Sequence, residues 1–154
     1  MKETLFTFAG LALLASLAVA DGPYQFYPIT PCRIVDTRNA DSPTGGPQLM
    51  SGTARSFPID VTPAPCGVPS TAKAAALNVT LVLPSLDGFL SIWPYLTSMP
   101  LVSTINASAG EPAIANGAIV PLTVNQPFNI SVIYGTAVSG GTAHVILDVT
   151  GYFQ

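Results

Sequence analysis

Between Ala74 and Leu83 the chain reads AAALNVTLVL, and Leu77, Val79, Leu81 and Leu83 fall at every second position. Successive side chains of an extended strand point to opposite faces, so this spacing lines one face with apolar groups and makes no helical stripe. The same period returns in PFNISVIYG, where Phe128, Ile130, Val132 and Tyr134 share a side. It returns again in AHVILDVTGYF, where Val145, Leu147 and Val149 stand opposite His144, Ile146, Asp148 and Thr150. GFLSIWP, Gly88–Pro94, follows the turn PSLDG and is expected to form a hairpin with the first run. Shorter candidates are Arg33–Asp36, Thr53–Asp60, Ser103–Ala107 and Ala115–Val120, while NADSPTGGPQLMS, Asn39–Ser51, reads as a loop. The 15 prolines and 13 glycines punctuate the chain, and no amphipathic helical run follows the N-terminal segment. About eight short strands between turns predict an all-β fold, a single antiparallel β-sandwich or jelly-roll-like domain.

Residues 1–20 follow a different logic. Lys2 opens a short polar start, an apolar run begins at Leu5, and Ala18-Val19-Ala20 offers a cleavage site, the pattern of a secretory signal peptide. The apolar run is short of the roughly 20 residues that span a bilayer. The residue directly after the cleavage site is Asp21, not a cysteine that could carry a lipid anchor. Residues 21–154 are therefore expected to be a domain released across a membrane, secreted to the medium or the cell surface. There Cys32 and Cys66, the only two cysteines, are expected to form a disulfide. Two cysteines and the single histidine are too few for a zinc site. Asp41 and Asp87-Gly88 lack the acidic series of a calcium loop. No metal or cofactor is expected.

Charge is scarce: 5 basic and 8 acidic side chains, 8% of 154 residues, with a net charge of −3. Ordinary soluble domains carry about 25%. Without a basic patch the chain has nothing to follow a phosphate backbone or hold an anionic lipid surface, so nucleic acid and membrane are excluded as partners of the mature domain. Against this background TPCRIVDTR concentrates Arg33, Asp36 and Arg38 within nine positions. Asp36 between two guanidinium groups could serve acid–base chemistry or grip a polar ligand. Flanking cations lower a carboxylate pKa, however, which suits a structural ion pair better than a general acid. The cluster is read as fixing the first strand. His144 and Asp148, four apart on a strand, lie about 13 Å from each other, and no GxSxG elbow supplies a nucleophile. No pair of carboxylates stands out for glycoside hydrolysis. The chain is read as a non-enzyme.

The ordered blocks FYPITPCRIVDTR, GTARSFPI, CGVPSTAKAAALNVTLVLP, GFLSIWP, PLVSTINASAGEPAIANGAIVP and HVILDVTGYF resemble a β-rich module of secreted bacterial proteins. The blocks are similar to acidobacterial versions and, more distantly, to repeated modules of actinobacterial surface proteins. The resemblance runs from Phe26 to Phe153. It implies an extracellular β-domain, carried as an accessory or repeated unit, and it supplies no catalytic residues. Here the module is expected to stand alone behind its leader.

A secreted β-domain with so few charged residues is poorly guarded against edge-to-edge association. The leading expectation is therefore a structural subunit that self-associates into a filament, sheath or surface matrix, with copies of itself as partner. The segment DGPYQFYPIT, with Tyr24, Phe26 and Tyr27, is the candidate to reach a neighbour as an added strand. The alternative is a monomeric carbohydrate-binding or adhesin domain that stacks polysaccharide on surface aromatics, with Trp93 and Tyr95 as the candidate glycan-binding residues. Asn78, Asn106 and Asn129 each open an N-glycosylation acceptor triplet.

Overall fold

A computed structural model describes residues 22–60 and 65–154, and the leader assignment lies outside the described residues. The described chain holds nine β-strands and no helix. They are β1 (Phe26–Asp36), β2 (Leu49–Met50), β3 (Arg55–Phe57), β4 (Ala74–Val82), β5 (Gly88–Pro94), β6 (Ile105–Ala107), β7 (Ile114–Pro121), β8 (Ile130–Thr136) and β9 (Thr142–Phe153). One sheet runs β1-β9-β4-β7, with β2 extending the β9 edge beyond β1; the other runs β3-β8-β5-β6. Every strand pair is antiparallel. The fold is an all-β sandwich.

Alternation places the core where period two requires it. Leu77, Val79 and Leu81 of β4 and Val145, Leu147 and Val149 of β9 face inward, and all six are buried. Ile130, Val132 and Tyr134 of β8 and Leu90 of β5 meet them from the opposite sheet within one continuous apolar cluster. Polar groups that enter this interior are satisfied. Asn129 is buried, and its side-chain oxygen accepts from the Ile59 and Asp60 amides while its amide donates to the Thr123 carbonyl. An amide so engaged is no glycan acceptor in the folded chain. Of the other two triplets, Asn78 is half-buried and Asn106 is exposed on β6.

Three expectations change. The β4–β5 hairpin does not form: β4 is flanked on both sides by β7 and β9, and β5 lies in the other sheet. Leu83, expected to continue the apolar face of β4, instead adopts φ 49° and is exposed. That left-handed residue turns the chain from one sheet to the other. Secondly, the Asn39–Ser51 loop contains β2, whose Leu49 is fully buried. Arg55 pins the rest of this loop by donating to the carbonyls of Gly45, Gly46 and Pro47, and its guanidinium lies 4.8 Å from the centre of the Phe57 ring. Burial pushes the Arg55 pKa below its usual value.

Thirdly, the N-terminal segment does not reach outward. Phe26–Pro28 pairs with Gly151–Phe153 of the same chain, and Gln25 and Gln154 exchange backbone hydrogen bonds of 2.9 and 3.0 Å. Tyr27 stacks on Tyr152 at 5.3 Å, and Phe26 meets Phe153 at 5.1 Å. Gly151 makes room for this: a Cβ there would stand 2.4 Å from the Phe26 ring. Of the candidate assembly segment Tyr24, Phe26 and Tyr27, the last two are thus committed to β1, because the C-terminal half of β9 offers them a partner within the molecule; Tyr24 precedes the strand and is exposed.

Candidate functional site

The charged cluster closes into a network once β1 lies beside β9. Arg38 donates from Nε and Nη2 to the two Asp36 oxygens at 2.9 and 2.7 Å, and its backbone N–H adds a third bond at 3.1 Å. Arg33 reaches Asp36 at 3.5 Å, but its main partner is Asp148, held by two bonds of 2.8 and 3.3 Å across the β1–β9 ladder. Asp148 is the member that sequence reasoning missed. It sits 115 residues from Arg33, and only the strand pairing brings them together.

The hydrogen bonds from Arg38 hold the Asp36 carboxyl at about 2, against an ordinary 3.8. Asp148 and Asp36 in turn raise the pKa of Arg33. A carboxylate this acidic neither donates nor accepts a proton near neutrality, so the arrangement does the work of a staple. Asp36 is almost wholly buried, while both arginines are about half exposed. A depressed folded pKa contributes stability above the unfolded value, and that stability is lost as pH falls through the folded value. We expect wild type to lose about 2 kcal/mol between about pH 5 and pH 2 that Asp36→Asn does not lose. Urea titrations of both proteins across that range check it; parallel curves would mean that Asp36 is not held in its charged form by the fold.

His144 lies half-buried on β9 with Nδ1 3.0 Å from the Thr37 carbonyl oxygen and 3.2 Å from its hydroxyl. A carbonyl can only accept, so Nδ1 carries the proton in that bond. Thr37 in turn takes the Val145 amide at 2.9 Å. These bonds tie the end of β1 to β9. Among the described residues no three metal-ligating side chains converge. Asp87 uses its carboxylate to accept the Ala109 amide at 2.7 Å.

The aromatic candidates part company. Trp93 is only 8% exposed, and its indole N–H donates to the Thr97 carbonyl at 3.2 Å. It is covered by the segment that follows β5 and presents no open ring face. Tyr95 packs edge-on against Phe128 at 5.4 Å. The expected platform at Trp93 and Tyr95 is therefore not assembled, since the chain after Pro94 folds back over the outer face of β5 instead of leaving it.

What that segment does present is apolar. Leu96, Met99, Leu101 and Val102 are all exposed, with Leu101 at the full extent of a free side chain. Met99 to Ser103 form one wall of an open groove of about 320 Å³ whose floor is Phe89 and Ser91. Ser91 holds this wall by donating to the Val102 carbonyl at 2.7 Å. The surroundings match: from Gly88 to Leu147 the only charged residue is Glu111. Those residues build β5, β6, β7, β8 and the start of β9. Most of the other charges lie on the flank formed by β1, β3 and their loops, while Asp87 and Glu111 stand at the turn between β6 and β7, where Asp87 accepts the Ala109 amide. This partition is written in the sequence, but it becomes a surface only when the topology puts the uncharged strands together.

No family model matches the chain, and neither a curated protein nor a solved structure matches it.

Proposed function

We propose that this chain is an extracellular structural subunit that associates with copies of itself. The observation that carries the reading is the uncharged half of the sandwich with its exposed Leu96, Met99, Leu101 and Val102. Soluble monomers rarely expose contiguous apolar patches larger than a few hundred Å², and larger ones mark interaction surfaces. Charged side chains are the usual guard of strand edges, and this half has almost none. The Cys32–Cys66 disulfide suits an oxidising compartment. It and the Arg33–Asp36–Arg38–Asp148 network keep the opposite flank rigid while the apolar flank is presented.

Electron microscopy and light scattering of the unreduced protein test the reading. Fibres, particles or a mass of at least two chains are expected. A monodisperse monomer at micromolar concentration would remove it and favour the alternative of a monomeric carbohydrate-binding domain. Leu101→Lys is expected to reduce association, since it places a charge at the most exposed point of the apolar wall. Its check is the same mass measurement, and an unchanged mass would place the contact elsewhere.

A further inference from the structure

The two open edges of the larger sheet differ. At β1, Pro28 and Pro31 supply no N–H, two register shifts break the ladder, and the Asp36 amide already donates to the Thr44 carbonyl. Arg33 and Arg38 stand on the same edge. Each of these features discourages an added strand. The edge at β7 has none of them. Its eight residues, IANGAIVP, carry no charge, and their only proline is the last. The strand pairs without a break with β4 from Leu81–Ile114 to Ala74–Pro121, and among the described residues no strand pairs with its other side. Asn116 reaches inward to the Thr104 carbonyl, and Thr104–Asn106 lies beside Ile114–Asn116, so the second sheet approaches β7 along its first three residues.

We infer that the outer edge of β7 pairs antiparallel with β7 of a second copy, so that the larger sheets of two subunits become continuous. The inference rests on the self-association reading above and names its interface. The strand is complementary to itself. With Gly117 opposite Gly117 across a two-fold axis, Ile119 of each copy faces Ala115 of the other on the outer face, and Val120 faces Ile114 on the inner one. Ile119 is 66% exposed in the single subunit. Beside it Ala76, Gly117 and Thr150 line a shallow depression of about 450 Å³. The diagonal neighbour of Ile119 across such a pair is the partner's Gly117, so a large side chain meets a strip of small ones. An uncharged strand pairing with itself also brings no like charges together. A two-fold pairing closes at the dimer, so a filament would need the apolar groove as its second contact.

Gly117 provides the test. A Cβ built there meets nothing within 4 Å, so a side chain is accommodated by the single subunit. Gly117→Lys and Gly117→Glu each set like charges directly opposite one another only in the proposed pair. Light scattering and sedimentation of the full unreduced chain should show each variant at half the mass of the wild-type unit or less, with one cooperative unfolding transition that shows the subunit still folded. An equimolar mixture of the two should regain the paired mass. If wild type associates and both variants associate equally well, the β7 pairing is wrong while self-association stands. If each variant dissociates and the mixture stays apart, the two-fold register is overturned. A monomeric wild type overturns this inference and the reading beneath it together.

Discussion

Tyr134→Ala is expected to destabilise the fold by about 3–5 kcal/mol, the range for deleting a large buried ring. Tyr134 lies on β8, which is hydrogen-bonded on one side to β5 and on the other to β3. It is the largest side chain among those wholly buried, and it sits within the contact cluster that joins the two sheets. Its hydroxyl donates to the Leu86 carbonyl, in the crossover from β4 to β5. The ring also lies within 2.9 Å of where a Cβ would stand on Gly88, the first residue of β5. Truncation thus opens a cavity and releases the crossover at once. Tyr134→Phe separates the two effects and should cost about 1 kcal/mol for the lost hydrogen bond. Urea unfolding with the disulfide intact gives both numbers. An alanine variant within 1 kcal/mol of wild type would mean that the two sheets do not close over this residue.

Cys32→Ala/Cys66→Ala should cost a similar amount. The bond joins β1 to the segment leading into β4 across 34 residues, which span β2, β3 and the Arg55-pinned loop. Cross-linking a loop of that length removes chain entropy from the unfolded state worth about 4 kcal/mol. Both sulfurs lie against the core, Cys66 within the buried cluster and Cys32 packed on it, so alanine avoids burying a new polar group. The measurement is denaturant unfolding of the variant beside oxidised and reduced wild type. The variant and reduced wild type should coincide, both well below the oxidised protein. Reduced wild type as stable as oxidised would show that the cross-link does not constrain the unfolded chain. Because Arg33 adjoins Cys32, the disulfide and the ion-pair network are close enough to couple, and their losses should not simply add.

The candidate site was less legible than the fold. Arg33, Asp36 and Arg38 could be picked out because three charges in nine positions are conspicuous in a chain this poor in charge. Their partner Asp148 could not, because the β1–β9 register is a property of the assembled sheet. Trp93 was read as a surface aromatic, and it does lie on the face of β5 opposite Leu90 and Ile92, away from the core cluster. Its burial comes from Pro94–Val102 folding back over that face, which no pattern within β5 announces. The uncharged half was readable as a long gap between charges, yet a gap in sequence has no surface until strands from it are neighbours.

Legible from sequence were the all-β class, the positions of β4, β5, β8 and β9, the inward residues of β4, β8 and β9 apart from Leu83, and the pairing of the only two cysteines. These follow from local alternation, turn residues and composition, which act within one strand or need no partner to be chosen. The tertiary structure alone decided which sheet each strand joins, that β4 and β5 part instead of forming a hairpin, that Phe26–Pro28 is held by Gly151–Phe153, and that β1 and β7 are left as edges. The physical reason is that a strand's backbone donors and acceptors are the same whichever neighbour it takes. Selection among neighbours is made by packing between residues far apart in the chain, as where the Phe26 ring settles on Gly151.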